Sequence, residues 1–308
     1  MNVQPLNQPL RLCLVDMNNG VRNEAVRCFR RIFEAFQHRV QQANPGLRIT
    51  YEHVQPRNLG ELPSADVDLI MSSGGPGSPY DGYDEPWCDG YRAFLDRVVD
   101  RNLQHPHDAP KLFVVCHSFE ITVTHFAVAK MEKRDEKKFG VMPCYTTDEG
   151  MRHPLFEPFG DRLFVWEHRS WEARGLDEAR LAQLGGRLLA RESRDGRNDK
   201  GEACLALDFA PGIVGTQFHP EADRAGVIAW ITKPEHSAAV ADAYGEPLLD
   251  RMMKTLADPT RLARTYALLL PGWLQRSFNQ LALYRGLRPI GPPELDMKEF
   301  EQEFAAAV

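Results

Sequence analysis

Three short stretches of this chain carry residue types that do covalent chemistry. "VVCHSFE", residues 114–120, sets Cys116 at the end of an apolar run with His117 directly behind it. A thiol acts as a nucleophile once it is a thiolate, and a helix N-terminus or a nearby histidine favours that form. "GTQFHPEAD", residues 215–223, sets His219 and Glu221 two apart across Pro220. In an extended segment such residues point the same way. Glu221 is therefore placed to hold the His219 imidazole in the tautomer that deprotonates a thiol. "SSGGPGSP", residues 72–79, adds glycines that let the backbone approach a ligand and present N–H groups to an oxyanion. No lysine follows, so it is not a phosphate loop. Singly, each stretch also reads as plain structure: a buried strand-end cysteine, a glycine turn and a surface turn.

These residues need elements to hold them. "RLCLVDM" (11–17), "VDLIMSS" (67–73) and "KLFVVC" (111–116) are short apolar runs that predict buried parallel strands, and "LRITYEHV" (47–54) alternates like a strand. Helices are predicted from Asn23 to about Ala43, from Pro86 through "DEPWCDGYRAFLDRVVDR", and over "SFEITVTHFAVAKM" (118–131). The alternation predicts an open α/β sheet covered on both faces. From 139 to 218 short strands follow, with "DGRNDKG" as a hairpin loop. Beyond Glu221 the chain turns helical, Pro271-Gly272 is expected to break the last helix, and Pro289, Pro292 and Pro293 predict a loosely packed end. The run Lys133, Arg134, Lys137, Lys138, interleaved with Glu132, Asp135 and Glu136, reads as a solvated helix end. All three chemical stretches thus fall at the carboxyl ends of strands, where open α/β sheets bind ligands.

In that order and placement, a glycine loop, an elbow cysteine and a strand-end His-x-Glu resemble the class I glutamine amidotransferases, the glutaminase part of GMP synthetase among them. The resemblance runs from about Leu10 to Asp223 and rests mainly on "SGGPGSP" and "QFHPE". It implies a flavodoxin-like, open, mostly parallel doubly wound sheet with added antiparallel strands over residues 1–230; beyond it, the apolar stretch "YALLLPGWLQ" (266–275) predicts that the helical extension over 231–308 packs on the same domain or at a subunit contact. The resemblance also implies the roles. Cys116 attacks the amide carbonyl of glutamine or another γ-glutamyl compound, His219 moves the proton, and Glu221 orients His219. The N–H groups of Gly75 and His117 form the oxyanion hole. A γ-glutamyl thioester forms and water hydrolyses it, releasing ammonia or an amine without metal or organic cofactor. Gly74, Gly77, Glu120, His168 and Arg169 line the substrate site, the last two from "EHRSW" (167–171). Where the family has Gly-x-Cys-x-Gly-x-Gln, this chain has Val114, Ser118 and Glu120, which implies a wider or shifted elbow.

Two other readings stay open. Cys116 with His117 as its base resembles the intracellular cysteine peptidase and chaperone group, which would make a peptidase-like or deglycase-like enzyme. A non-catalytic binding module on the same fold is the other. Net charge −6 and a pI near 6.0 argue against a nucleic-acid partner. No 18-residue apolar stretch exists, so no membrane span is expected. The first residues lack a signal peptide's pattern, and six scattered cysteines without a C-x-x-C pair suit reduced thiols, so a cytoplasmic location is expected. The expected partners are a small-molecule substrate and either a separate synthetase or a second copy of the chain.

Overall fold

The computed structural model describes residues 8–193, 203–233 and 246–297, without the side chains of 246–249 and 251. "DGRNDKG" and residues 234–245 of the expected helix lie outside the described residues.

The apolar runs become strands. β1 (Leu10–Val15), β2 (Ile49–Val54), β3 (Leu69–Ser72) and β4 (Lys111–Val115) pair in parallel, and β9 (Ile213–Thr216) adds to β4 in the same sense. The parallel order is β2-β1-β3-β4-β9. Period two splits β1 cleanly. Leu10, Leu12 and Leu14 join the core under helix α1 (Glu24–Ala43), while Cys13 and Val15 join the core under helix α3 (Pro86–Gln104). Asn23 caps α1 by accepting from the Ala25 amide at 2.8 Å, and Pro86 opens α3 at a position where its missing N–H costs nothing. A short helix, α2 (Pro56–Leu59), leads from β2 toward β3.

The other half corrects the expectation of an open, mostly parallel sheet. β5 (Lys130–Thr146), β6 (Arg162–Arg174), β7 (Arg187–Arg191) and β8 (Cys204–Ala210) are antiparallel, and β8 joins them to β9. β7 pairs with both β5 and β8, so these four strands close into a ring. Short helices α5 (Asp148–Arg152) and α6 (Glu178–Gln183) sit in its connections.

The charged run at 133–138 is part of β5, not a helix end. The helix before it, α4 (His117–Phe126), stops early because Ala127 adopts a left-handed conformation at φ 52°. A register shift interrupts β5 between Lys133 and Lys138, and Arg134 and Lys138 find carboxylate partners in Glu172 and Glu192 across the ring. Local charge pattern favoured a solvated helix; these distant pairs favour the strand.

Helices α7 (Arg224–Ile231), α8 (Glu246–Leu256) and α9 (Leu262–Arg285) complete the described chain. α9 runs unbroken through Pro271, contrary to expectation. Proline removes one backbone hydrogen bond there, but Leu269, Leu270, Trp273 and Leu274 on either side are buried and hold the helix in place. Trp273 packs edge-on to Phe113 of β4, and Phe278 packs on Phe36 of α1. Arg285 binds Asp68 and Asp108. The chain after α9 is pinned rather than loose up to residue 290. Asn44 accepts from the Arg288 amide and donates to its carbonyl, Asn279 binds Ile290 on both sides, and Ile290 is buried. No described helix is long and apolar enough to cross a membrane.

Candidate active site

Cys116 sits between β4 and α4 at φ 49°, ψ −103°. A positive φ on a residue with a side chain is strained by about 1–3 kcal/mol and persists only where the surroundings fix it. Here the Cys116 amide donates to the Thr216 carbonyl of β9 at 2.8 Å, and its carbonyl accepts from the Glu120 amide at 2.8 Å. Ser118 locks the turn from below: its hydroxyl accepts from the Val115 amide at 2.9 Å and donates to the Ser72 carbonyl of β3 at 2.8 Å. The neighbours make room for Val114. A Cβ on Gly215 of β9 would lie 2.3 Å from Val114 Cγ2, so a glycine one strand away takes the bulk.

β9 ends in the second stretch. The His219 amide donates to the Trp166 carbonyl of β6 at 3.0 Å, a single bridge from the ring to this segment. Its imidazole Nδ1 lies 2.8 Å from Glu221 Oε1, and the ring interacts electrostatically with the Cys116 thiol. Glu221 is 1% exposed. Cys116, His219 and Glu221 thus form one connected row.

The glycine loop passes directly over this row. A Cβ on Gly74 would fall 2.9 Å from His219 Cε1 and 3.2 Å from Cys116 Cβ. A Cβ on Gly75 would fall 2.1 Å from the Met17 carbonyl oxygen. Gly77 takes φ +104°. Arg57 straps the loop, donating to the carbonyls of Met17 at 3.0 Å and Pro76 at 2.7 Å. Nothing in "QPRNLG" advertises that role.

Three other expected residues separate. His168 lines a cavity of about 680 Å³ together with His219, Glu221, Trp166 and Trp230. Arg169, the next residue along β6, points to the opposite face and does not line it. It is 2% exposed and donates to Glu167 at 2.7 Å, Glu192 at 3.0 Å and Glu172 at 3.4 Å. Its guanidinium belongs to a buried ion cluster, not to a substrate site. Glu120 is also turned inward at 3% exposure. One oxygen accepts from Gln217 Nε2 at 2.8 Å and the other lies 3.6 Å from His117 Nδ1. The side chain of His117 is 1% exposed and neither ring nitrogen has a hydrogen-bond partner. Of the two histidines, His219 is the one that acts electrostatically on the Cys116 thiol.

Charge at the site follows from burial and neighbours. Burial pushes the Cys116 thiol up, and His219 counteracts this in part. Burial pulls His219 down, yet Glu221 and Cys116 more than reverse this and hold the imidazole well above its ordinary range. Burial lowers the pKa of Lys137, beside the β5 register shift, and Cys116 offsets this in part. The sequence reading missed this link because it placed Lys137 on a helix.

A pH dependence follows. At low pH the row holds a neutral thiol and an imidazolium, and one proton must leave before a thiolate forms. Alkylation of Cys116 by iodoacetamide is expected to rise with pH through a midpoint above the ordinary histidine value of about 6.5. Glu221→Gln removes the carboxylate that retains that proton, so the midpoint is expected to fall by about one unit. A midpoint unmoved by Glu221→Gln rules out this coupling.

No family model matches the chain, and no curated protein matches it in sequence. Solved structures do match it in shape. SMU.1228c is 16% identical over 87% of this chain and 99% of that one, with a TM-score of 0.58. A glutamine amidotransferase of Thermotoga maritima is 13% identical over 90% of this chain and 99% of that one, with a TM-score of 0.55. The chain has a class I glutamine amidotransferase-like fold.

Proposed function

We propose that this protein is a cysteine hydrolase of γ-glutamyl amide bonds, acting on glutamine or a larger γ-glutamyl amide. The observation that carries this reading is Cys116 at a strained strand–helix turn, lying with the His219 imidazole under Gly74, that imidazole itself being held by Glu221. The glutamine amidotransferase-like fold supports it.

The steps proposed are those that the resemblance to glutamine amidotransferases implies. Cys116 Sγ attacks the γ-carbonyl carbon and a C–S bond forms. His219 takes the thiol proton and returns it to the leaving nitrogen as the C–N bond breaks. The N–H groups of Gly75 and His117 take the carbonyl oxygen's developing charge, His117 from the unpaired first turn of α4. Water, deprotonated by His219, then cleaves the thioester and glutamate leaves. Glu120 and Gln217 support the turn from beneath. Residues 1–230 form the hydrolase unit, and 231–308 extend it. A separate synthetase that consumes the ammonia, and a cytoplasmic setting, complete the proposal.

The reading that pairs Cys116 with His117 finds no hydrogen bond to rest on. One comparison of thiol reactivity separates the two. His219→Ala is expected to slow alkylation of Cys116 at neutral pH at least about tenfold, in line with the 10²–10⁴-fold typical of a positioned base, while His117→Ala leaves it nearly unchanged. The reverse pattern assigns the base to His117.

A further inference from the structure

The cavity beside His219 is larger and more aromatic than ammonia requires. It is reached from the His219–Glu221 side of the row and does not touch Cys116. In the proposed chemistry His219 hands its proton to the departing nitrogen. Whatever is bonded to that nitrogen therefore lies on the His219 side and extends into this space.

One part of the lining is rings; the rest is aliphatic and charged, with Val21, Arg22, Glu24 and Lys233 among it. Trp166 and Trp230 have centroids 6.2 Å apart at 69°, and His168 stands 5.5 Å from Trp230 at 71°. Phe139 packs behind them, 5.0 Å from Trp166 and 5.1 Å from Trp230. Trp166 and His168 are two apart on β6 and so share a face, while Trp230 comes from α7. Trp166 also carries the carbonyl that anchors the His219 amide, which fixes the rings relative to the proton donor. A ring set of this kind offers faces and edges to a flat partner.

Resting on the reading above, we propose that this cavity takes the amine half of the substrate, and that this half is a planar aromatic amine in γ-amide linkage to glutamate. The bond that breaks is then the C–N bond of a γ-glutamyl arylamide. The arylamine leaves with the proton from His219, and water completes hydrolysis of the thioester.

The test separates the cavity from the nucleophile. γ-Glutamyl-p-nitroanilide and glutamine are titrated by calorimetry against full-length Cys116→Ala protein, which cannot turn over. The anilide is expected to bind at least about tenfold tighter, the factor that about 1.4 kcal/mol of ring contact produces. Adding Trp230→Ala is expected to shrink this preference to under about twofold. Trp230→Leu, which keeps apolar volume without a ring face, is expected to do the same and covers the case in which the alanine variant fails to fold. Equal binding of the two ligands, or a preference that survives Trp230→Leu, overturns the proposal. Preferential binding without turnover by the wild type overturns the hydrolase reading and leaves the aromatic site standing. Turnover of glutamine without any preference does the opposite.

Discussion

Cys116→Ala is expected to lower hydrolysis of glutamine and of γ-glutamyl-p-nitroanilide by about 10⁴-fold or more, with little loss of stability. Removing a nucleophile from a row of interdependent residues costs nearly as much as removing the whole row. Cys116 is 6% exposed and occupies a strained φ of 49°, and alanine has the same backbone demands with one atom fewer to pack. The folded state should therefore keep its melting temperature within a few degrees. The measurement is glutamate release at saturating substrate, with wild type and variant compared at equal folded concentration. Turnover that persists within tenfold of wild type excludes Cys116 as the nucleophile and returns the fold to a binding role. Cys116→Ser, which keeps an oxygen in place of sulfur, should recover little, because His219 is matched to a thiol and not to a hydroxyl.

The second large effect is on stability. Arg169→Met is expected to destabilise the fold by about 3–5 kcal/mol, the usual consequence of leaving buried charges without their partner. Arg169 neutralises Glu167, Glu172 and Glu192 at once. Arg134 and Lys138 still serve Glu172 and Glu192 in the variant, while Glu167 loses the cation 2.7 Å away. Arg169→Lys should rescue only part, since one ammonium cannot fork to three carboxylates. The pH behaviour gives an independent check. Burial pushes Glu192 up, but Arg169 and Lys138 outweigh it and hold the carboxyl at about 2. A depressed carboxyl stabilises the fold above its unfolded value of about 4.5 and loses that contribution as the pH falls toward 2. Urea unfolding at pH 7 and at pH 3 should therefore show a larger gap between wild type and Arg169→Met at pH 7. A gap below about 1 kcal/mol at pH 7 removes the cluster from any structural role.

Arg169 also shows where sequence reading stopped short. "EHRSW" read as a strand puts neighbouring residues on opposite faces, so His168 and Arg169 had to part; taking them as a pair for one substrate ignored the period already assumed. The same period puts Trp166 and His168 on one face, a legible sign of the cavity wall, whereas Trp230 arrives from α7 and left no local sign. β1, β3 and β4 were legible because each is a short apolar run with an aspartate, glycine or cysteine at or near its end, and β2 because its residues alternate. The first half of β5 was not, because the partners that make "KRDEKK" a strand, Glu172 and Glu192, lie 38 and 54 or more residues away. Pro271 misled for a related reason. Its local cost is real, and only the burial of Trp273 against Phe113 and Phe278 against Phe36 shows what outweighs it. Val114 and Ser118 are intelligible only in pairs: Val114 with Gly215, Ser118 with the Ser72 carbonyl.

The closed ring bears on how the molecule behaves in company. An open sheet ends in two strands with unpaired amides and carbonyls, and each is a template on which a foreign strand can grow. Because β7 bonds to both β5 and β8, that end of the sheet is used up within the fold, and among the described strands β2 alone is bonded on one side only. β2 is six residues long and carries Glu52 and His53, with Thr50 and Tyr51 exposed. Strand-by-strand self-association is thereby confined to one short, partly charged border at the far end of the sheet from the ring.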